Sequence, residues 1–290
     1  MSKKEKPIVA LIYDFDGTLS SGNMQEYAFI QAIGKNKEEF WKENRELAES
    51  QDADQILTYM FLMLQKAQTN GISLKKESFQ KFGESVELFN GVEEWFDRIN
   101  EYGKKEGVTI EHYINSSGLK EMIEGTKIGK MFNQIYACSY MYNVDGIAQW
   151  PAIAVNFTNK TQFLFKINKG IKSVSDTKKI NEFINESDRR IPFSHMIYFG
   201  DGVTDIPCMK LVKQQGGHSI AVYQPRKKDK KEAAEKLINE NRVNFVCPAD
   251  YLEDKEIDIV VKTIIDKIKA DSDFNELMKQ HKDKAGKTLK

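Results

Sequence analysis

The most constraining feature of this chain is its first apolar run, "IVALIY" at 8–13, which passes without a spacer into "DFDGTLS". Six apolar residues in a row, with no alternation, describe a strand buried on both faces, as at the centre of a parallel sheet. Two carboxylates, Asp14 and Asp16, then fall one residue apart, where desolvation makes charge expensive. Side chains at i and i+2 of a strand share a face, so the two acids are neighbours if the strand continues through them. They repel unless a cation lies between them or one of them carries a proton. Gly17 allows a sharp turn and Thr18 offers a hydroxyl, at the strand end where open α/β sheets bind ligands. An Asx-type turn with N-capping acids satisfies the same spacing, and this stretch alone does not choose between the two.

A second stretch breaks the tie. "YFGDGVTDIPCM" at 198–209 is again an apolar strand, a glycine, an acid, and a further acid four residues on. Asp201 would leave the strand's C-terminal end and Asp205 would sit in the first turn of the next helix, where Pro207 is tolerated. Carboxylates delivered to one sheet edge from two short loops suit magnesium, which keeps waters and takes phosphate oxygens as further ligands.

The remaining pattern sets the organisation. Strand signals recur at 108–115, 195–201, 218–223 and 244–247, with helices expected at 205–214, 226–240 and 252–269. Val92, Trp95, Phe96 and Ile99 follow i, i+3, i+4, i+7 spacing, which predicts an amphipathic helix lying on a sheet. Alternating strands and helices imply an α/β fold with a doubly wound parallel sheet. From Met24 to Leu88 the texture is helical instead, with breaks at 34–37, 50–54 and 69–73. Within it, Ile56–Leu64 is apolar nearly all round and is expected at the centre of a small bundle, with Asp52 or Asp54 as its N-cap. The chain thus divides into a core of 1–20 and 89–270, an all-helical insertion at 21–88, and a polar, Lys-rich tail at 271–290 expected to be frayed. The basic run at 226–236 is expected to face solvent on a helix.

Composition removes other classes. Lys+Arg and Asp+Glu are both 43, so the balanced charge gives no support to a nucleic-acid or anionic-membrane binder. Three widely spaced cysteines, 138, 208 and 247, read as reduced thiols. The four histidines form no HxxxH or HExxH pattern, which disfavours zinc. Neither a phosphate-cradling GxxxxGK[ST] loop nor a GxGxxG fingerprint is present. The N-terminal run lacks a signal-peptide cleavage site and no window reaches membrane-span length, so a cytoplasmic location is expected.

"DFDGTLS" and "GDGVTD" resemble the first and fourth motifs of the haloacid dehalogenase-like hydrolases, a superfamily dominated by magnesium-dependent phosphatases. The chain is most similar to their phosphoserine phosphatase-like branch. "YINSSGLKEMI" is similar to the second motif, with Ser116 as its hydroxyl and the Ser117 and Gly118 amides as further donors to a phosphate. The third motif is a lone lysine, for which Lys160, Lys166 and Lys169 are available; Lys160 has the place that the resemblance favours, with Lys169 second. The helical block has the position of a C1-type cap in that family, and residues 126–159 leave room only for a hairpin or a loop. Thr204 stands where those relatives usually have Asn, which leaves phosphoserine itself in doubt as substrate.

The resemblance implies Asp14 as nucleophile and Asp16 as general acid and base. It implies Mg²⁺ held by the Asp14 carboxylate, the Asp16 backbone carbonyl, Asp201 and Asp205. Thr18, Ser116, Ser117, Gly118 and Lys160 would hold phosphate oxygens, and the substrate would be a small phosphorylated metabolite. Selectivity would rest on cap side chains such as Met24, Tyr27 and Phe61. Two alternatives stay open: a phosphotransferase or mutase that passes the phosphoryl group to another acceptor, and a non-catalytic metal-binding module on the same fold.

Overall fold

A computed structural model of the chain describes residues 6–288, excepting the side chains at 177, 187 and 286–288. The first apolar run forms β1 (Ile8–Tyr13), buried along its length from Val9 onward. The helical block follows: α1 (Phe29–Ala32), α2 (Lys37–Gln51), α3 (Gln55–Thr69) and α4 (Lys76–Gly83). Then come α5 (Val92–Lys105), β2 (Thr109–Leu119), α6 (Lys120–Gly125), β3 (Gln134–Tyr142) and β4 (Ala148–Ile153). The chain continues through α7 (Phe157–Lys169), α8 (Thr177–Asn181), β5 (Met196–Gly200), α9 (Ile206–Gln214), β6 (His218–Tyr223), α10 (Lys228–Asn239), β7 (Phe245–Pro248) and α11 (Glu256–Thr288).

The seven strands make one sheet in the order β4-β3-β2-β1-β5-β6-β7. Every pairing is parallel except β3 with β4. Strand order reverses at β1, so right-handed crossovers place α5 and α9 on opposite faces of the sheet. The reversal also opens a crevice at the C-terminal ends of β1 and β5, the place where such sheets bind ligands. The expected α/β doubly wound sheet is therefore present. Helix α5 buries Val92, Trp95, Phe96 and Ile99, the four residues its spacing selects. It is tied to α11 by Arg98 Nε, 3.2 Å from Asp258 Oδ1.

Three expectations need correction, and a fourth gains detail. Strand β2 does not stop at Asn115 but continues to Leu119, with a register shift between Ser116 and Leu119 that lets Leu119 pair with Cys138. The hairpin expected within 126–159 exists as β3–β4, and its first strand joins the main sheet beside β2. Helix α3 is capped by Asp54, which accepts from the Ile56 and Leu57 amides, but it is not central. It packs between α2 and β4 and leaves Leu57 and Phe61 about half exposed, because a block of four short helices has no room to surround one of them. Residues 271–288 continue α11 rather than fray, and the Lys267–Asp271 pair at i,i+4 carries the helix across that boundary. Positions 289–290 lie outside the described residues. No helix among the described residues is long and apolar enough to cross a membrane.

Beneath the crevice a buried polar chain fixes β1 against its neighbours. The Trp95 indole donates to Tyr13 Oη (2.9 Å), Tyr13 Oη meets His112 Nδ1 (3.2 Å), and His112 Nε2 meets Asn100 Oδ1 (3.0 Å). Three rings thus satisfy one another where water cannot reach. Burial lowers the His112 pKa to about 3, so it is neutral in the fold. An unfolded chain protonates this histidine below about pH 6.5, whereas the folded chain resists until about pH 3. Stability is therefore lost as pH falls through this window, by about 2 kcal/mol at pH 5. Urea unfolding of the native chain and of His112→Gln between pH 7.5 and 5 checks this: the variant is less stable at pH 7.5, and its stability falls less steeply with acid.

Candidate active site

The β1–β5 ladder runs one residue past β1, since the Asp14 amide donates to Phe199 O at 2.9 Å. Asp14 is thereby placed at the sheet's C-terminal edge. The next residues fold back at once, with the amides of Leu19 and Ser20 converging on Phe15 O at 2.9 and 3.1 Å. Gly17 has φ +77°, and a Cβ there would lie 2.3 Å from Asp201 Oδ2, so only glycine lets the two acidic loops approach this closely.

Carboxylate oxygens of Asp14, Asp201 and Asp205 lie within 4.8 Å of one another. Lys160, from the first turns of α7, is completely buried among them, its Nζ 3.2 Å from Asp14 Oδ1 and 2.7 Å from Asp205 Oδ1. Tyr198 Oη donates to the same Asp205 oxygen (2.8 Å), and the Gly202 amide to the other (3.2 Å). Three carboxylates against one ammonium leave a formal charge of −2 in a site shielded from water. The consequence falls on Asp14, Asp201 and Lys160. Burial, then Asp205, pushes Asp14 up to about 6 despite Lys160. Burial, then Asp14, pushes Asp201 up to about 7. Lys160 is held protonated, because Asp14 and Asp205 together outweigh its burial.

These residues fit a hard divalent cation. The donors are all oxygen, the missing charge is +2, and Asp14 Oδ1 is buried without a hydrogen bond. The Asp16 carboxylate stands apart from this trio, as expected of a residue assigned to a cation only through its backbone carbonyl. Its Oδ1 accepts from the Met24 amide at 3.0 Å. Burial, then the charge of Asp14, raises its pKa well above the ordinary carboxylate range.

Asp14, Asp16 and Asp201 line a cavity of about 650 Å³, together with Ser116, Ser117, Gly118 and Thr204. Ser117 Oγ is buried without a partner, while Ser116 Oγ accepts from the Gly118 amide at 3.1 Å. Thr18 is completely buried with an unpartnered hydroxyl and does not line the cavity. Lys169 is remote, its Nζ capping the carbonyls of Ile180 and Glu182 at 2.7 Å each, and Lys166 is bound to Ser173 O. Of the three lysines, Lys160 alone reaches the carboxylates.

The rest of the wall departs from expectation. Met24, Tyr27 and Phe61 do not line this cavity. Met24 is packed under Gly118, and Phe61 lines a separate apolar groove with Trp150. The wall is made instead by Gln25, Lys37, Trp41, Asn44 and Arg45, with Lys227 and Lys230 opposite. The two lysines belong to the basic run expected to face only solvent. Their signal in the sequence was the short distance from β6, whose C-terminal end sits at the same sheet edge.

A family model of the haloacid dehalogenase-like hydrolases matches residues 11–210, and the chain belongs to that family. It is 31% identical to an uncharacterized protein of Borreliella burgdorferi over a 278-residue alignment that covers 87% of this chain and 94% of the relative. Its fold is similar to that of a substrate-bound phosphoserine phosphatase, with a TM-score of 0.53 at 13% identity, covering 90% of this chain and 99% of the other. It is also similar to a family hydrolase from Salmonella enterica serovar Typhi, with a TM-score of 0.54 at 14% identity, covering 90% and 73%.

Removing the ammonium while leaving its acids tests this electrostatic account. Lys160→Met is expected to cost about 3–5 kcal/mol at pH 7.5, the usual penalty for stranding buried charge. The loss should shrink at pH 5, where the stranded acids protonate. Lys169→Ala should cost no more than about 1 kcal/mol, as expected for loss of surface carbonyl caps. Urea denaturation at both pH values measures all three; equal losses for the two variants would sink the account.

Proposed function

We infer that the chain is a Mg²⁺-dependent phosphatase that hydrolyses a small phosphate monoester through an aspartyl-phosphate on Asp14. The observation that carries this is the buried Asp14 Oδ1 at the sheet edge, which accepts no hydrogen bond and lies 3.2 Å from the Lys160 ammonium, in a pocket short of two positive charges. Membership of a hydrolase family and the phosphatase-like fold support the same reading.

A carboxylate oxygen of Asp14 would attack phosphorus as the bond to the ester oxygen breaks. Asp16, whose burial favours the protonated form, would give its proton to the departing alkoxide, and the resulting carboxylate would take one from the water that cleaves the aspartyl-phosphate. Lys160 would neutralise phosphoryl oxygens, and the Ser116–Gly118 turn would offer hydroxyl and amide donors. Asp14, Asp201, Asp205 and the Asp16 carbonyl would hold Mg²⁺, which supplies Lewis-acid neutralisation of phosphoryl charge when bound. In this reading residues 21–88 act as a cap over a core of 1–20 and 89–270, excluding water from the crevice. Tyr59, from α3, donates to Ser117 O at 2.7 Å, so the cap touches the second motif directly.

Asp14→Asn should lower Mg²⁺-dependent hydrolysis of p-nitrophenyl phosphate by about a thousandfold or more without unfolding the chain, since it removes repulsion. Asp16→Asn should discriminate between leaving groups. An alkyl phosphate, whose alkoxide needs a proton, should lose about 10²–10⁴-fold in phosphoenzyme formation, and p-nitrophenyl phosphate far less. Rapid-quench measurement of phosphoenzyme with both substrates decides it. Full turnover by Asp14→Asn would refute the nucleophile.

A further inference from the structure

The wall facing the carboxylates is chemically unlike the rest of the surface. Along α2, Lys37, Trp41, Asn44 and Arg45 recur at i, i+4, i+7 and i+8, one stripe of the helix, and all four line the cavity. On another face of the helix, Lys42 pairs with Glu46 at 3.7 Å. Lys37 and Arg45 form no ion pair among the described residues. Across the cavity the contrast holds for Lys227 but not for Lys230, which lines it and lies 3.8 Å from Asp201 Oδ2. Lys228, Lys231 and Lys236 on α10 pair with Glu232, Glu235 and Glu240, whereas Lys227, which lines the cavity, pairs with nothing described.

Two further groups on this wall lack partners although they are buried. Asn44 is 4% exposed and Gln25 is 2% exposed, and the side-chain carbonyl oxygen of each accepts no hydrogen bond. The Asn44 amide nitrogen donates to Gln55 O at 3.3 Å, which leaves its oxygen as the free end. Buried acceptors of this kind call for a donor. Glu26 also lines the cavity, and its Oε1 accepts from the Trp41 indole (2.8 Å) and from Asn23 Nδ2 (2.7 Å). It fixes the indole ring as a flat wall.

We propose that this α2 face, with Gln25, selects an ester whose alcohol half carries hydroxyl groups and a second anionic group. The inference rests on the phosphatase reading of the same site. Hydroxyls donate to Asn44 Oδ1 and Gln25 Oε1. The second anion, a carboxylate or a further phosphate, lies between Arg45 and Lys37, where a guanidinium offers two parallel donors. An ammonium group in the alcohol half meets the two cations of this wall, Lys37 and Arg45, against its single carboxylate, Glu26, so amino-acid phosphates are discriminated against.

The test uses esters that differ in one group, titrated calorimetrically into the Mg²⁺-loaded Asp14→Asn chain, in which turnover is blocked. One pair is glycerol 3-phosphate and 3-phosphoglycerate; a longer pair is glucitol 6-phosphate and 6-phosphogluconate. Phosphoserine replaces the hydroxyl of 3-phosphoglycerate with an ammonium. The acidic member of at least one pair should bind about tenfold tighter or more, the effect of one charge-assisted contact. Phosphoserine should bind more weakly than 3-phosphoglycerate. Adding Lys37→Gln and Arg45→Gln should bring the acid-to-neutral ratio to within about twofold. The ratio inside each variant is the readout, so partial loss of fold lowers both affinities and leaves it standing. Equal affinity within both pairs, tighter phosphoserine, or a ratio that survives the double substitution overturns the proposal. Hydrolysis of p-nitrophenyl phosphate by the unaltered chain separates the levels. Turnover without acid preference removes the specificity alone, and neither turnover nor binding removes both.

Discussion

The site depends on one ammonium buried among three carboxylates. Lys160 cannot be solvated and cannot release its proton, because the field of Asp14 and Asp205 exceeds the penalty of burial. It also cannot neutralise the group alone. A charge deficit of this kind is expensive for a fold to maintain unless a ligand removes it. The surrounding structure serves to hold the deficit in place. Tyr198 and the Gly202 amide keep Asp205 oriented, so Lys160 has one fixed anchor and Asp14 retains an oxygen without a hydrogen bond. Asp201 presses against Gly17, where any side chain would separate the two loops.

Holding like charges together requires rigid supports, and both sides of the crevice have them. Below, the Trp95–Tyr13–His112–Asn100 chain links α5, β1 and β2 through rings with no access to solvent. Beside it, α4 and α6 touch backbone to backbone. A Cβ on Gly83 would lie 1.9 Å from Met122 O, and one on Gly125 would lie 1.9 Å from Gln80 O. Each glycine makes space for the other helix, so the α2–α4 block is seated against the segment that follows the Ser116–Gly118 turn. Tyr59 and Tyr140 add hydrogen bonds of 2.7 Å between α3 and β2 and between β3 and α3. The wall opposite the carboxylates is thereby positioned by the core.

What the sequence disclosed follows from how local each signal was. Asp14, Asp16, Asp201 and Asp205 could be found because strand, turn and acid are adjacent in the chain, and the parallel sheet necessarily aligns such ends. Lys160 lies outside any such pattern; three lysines competed, and only contacts 45 or more positions distant in the chain separate them. The α2 stripe was legible as a helix face, but which face meets the cavity is set by the packing of α2 on α3. The apolar circumference of α3 suggested a central helix because periodicity reports what a face prefers, while the exposed Leu57 and Phe61 show that no partner was available there. The extension of β2 through Ser116–Leu119 was hidden by residues that read as a loop and pair as a strand only because β3 lies alongside.

The two walls of the cavity solve a problem that neither solves alone. In the proposed reading Asp14, Asp201 and Asp205 contribute −3 and Lys160 +1, and a bound divalent ion would add +2, which sums to zero if Asp16 carries a proton. A phosphoryl dianion entering this pole therefore meets no net attraction, only aligned donors and a Lewis acid at short range. Long-range capture has to come from elsewhere, and Lys37, Arg45, Lys227 and Lys230 stand around the same opening. Of these, Lys230 is already drawn to Asp201, at 3.8 Å, and serves the catalytic pole. Among the described residues the other three form no ion pair, and a rim on which they outnumber the single carboxylate of Glu26 raises the local concentration of anions. A positive rim around a neutral catalytic pole draws the anion in and leaves the short-range contacts for the phosphoryl group as it is transferred.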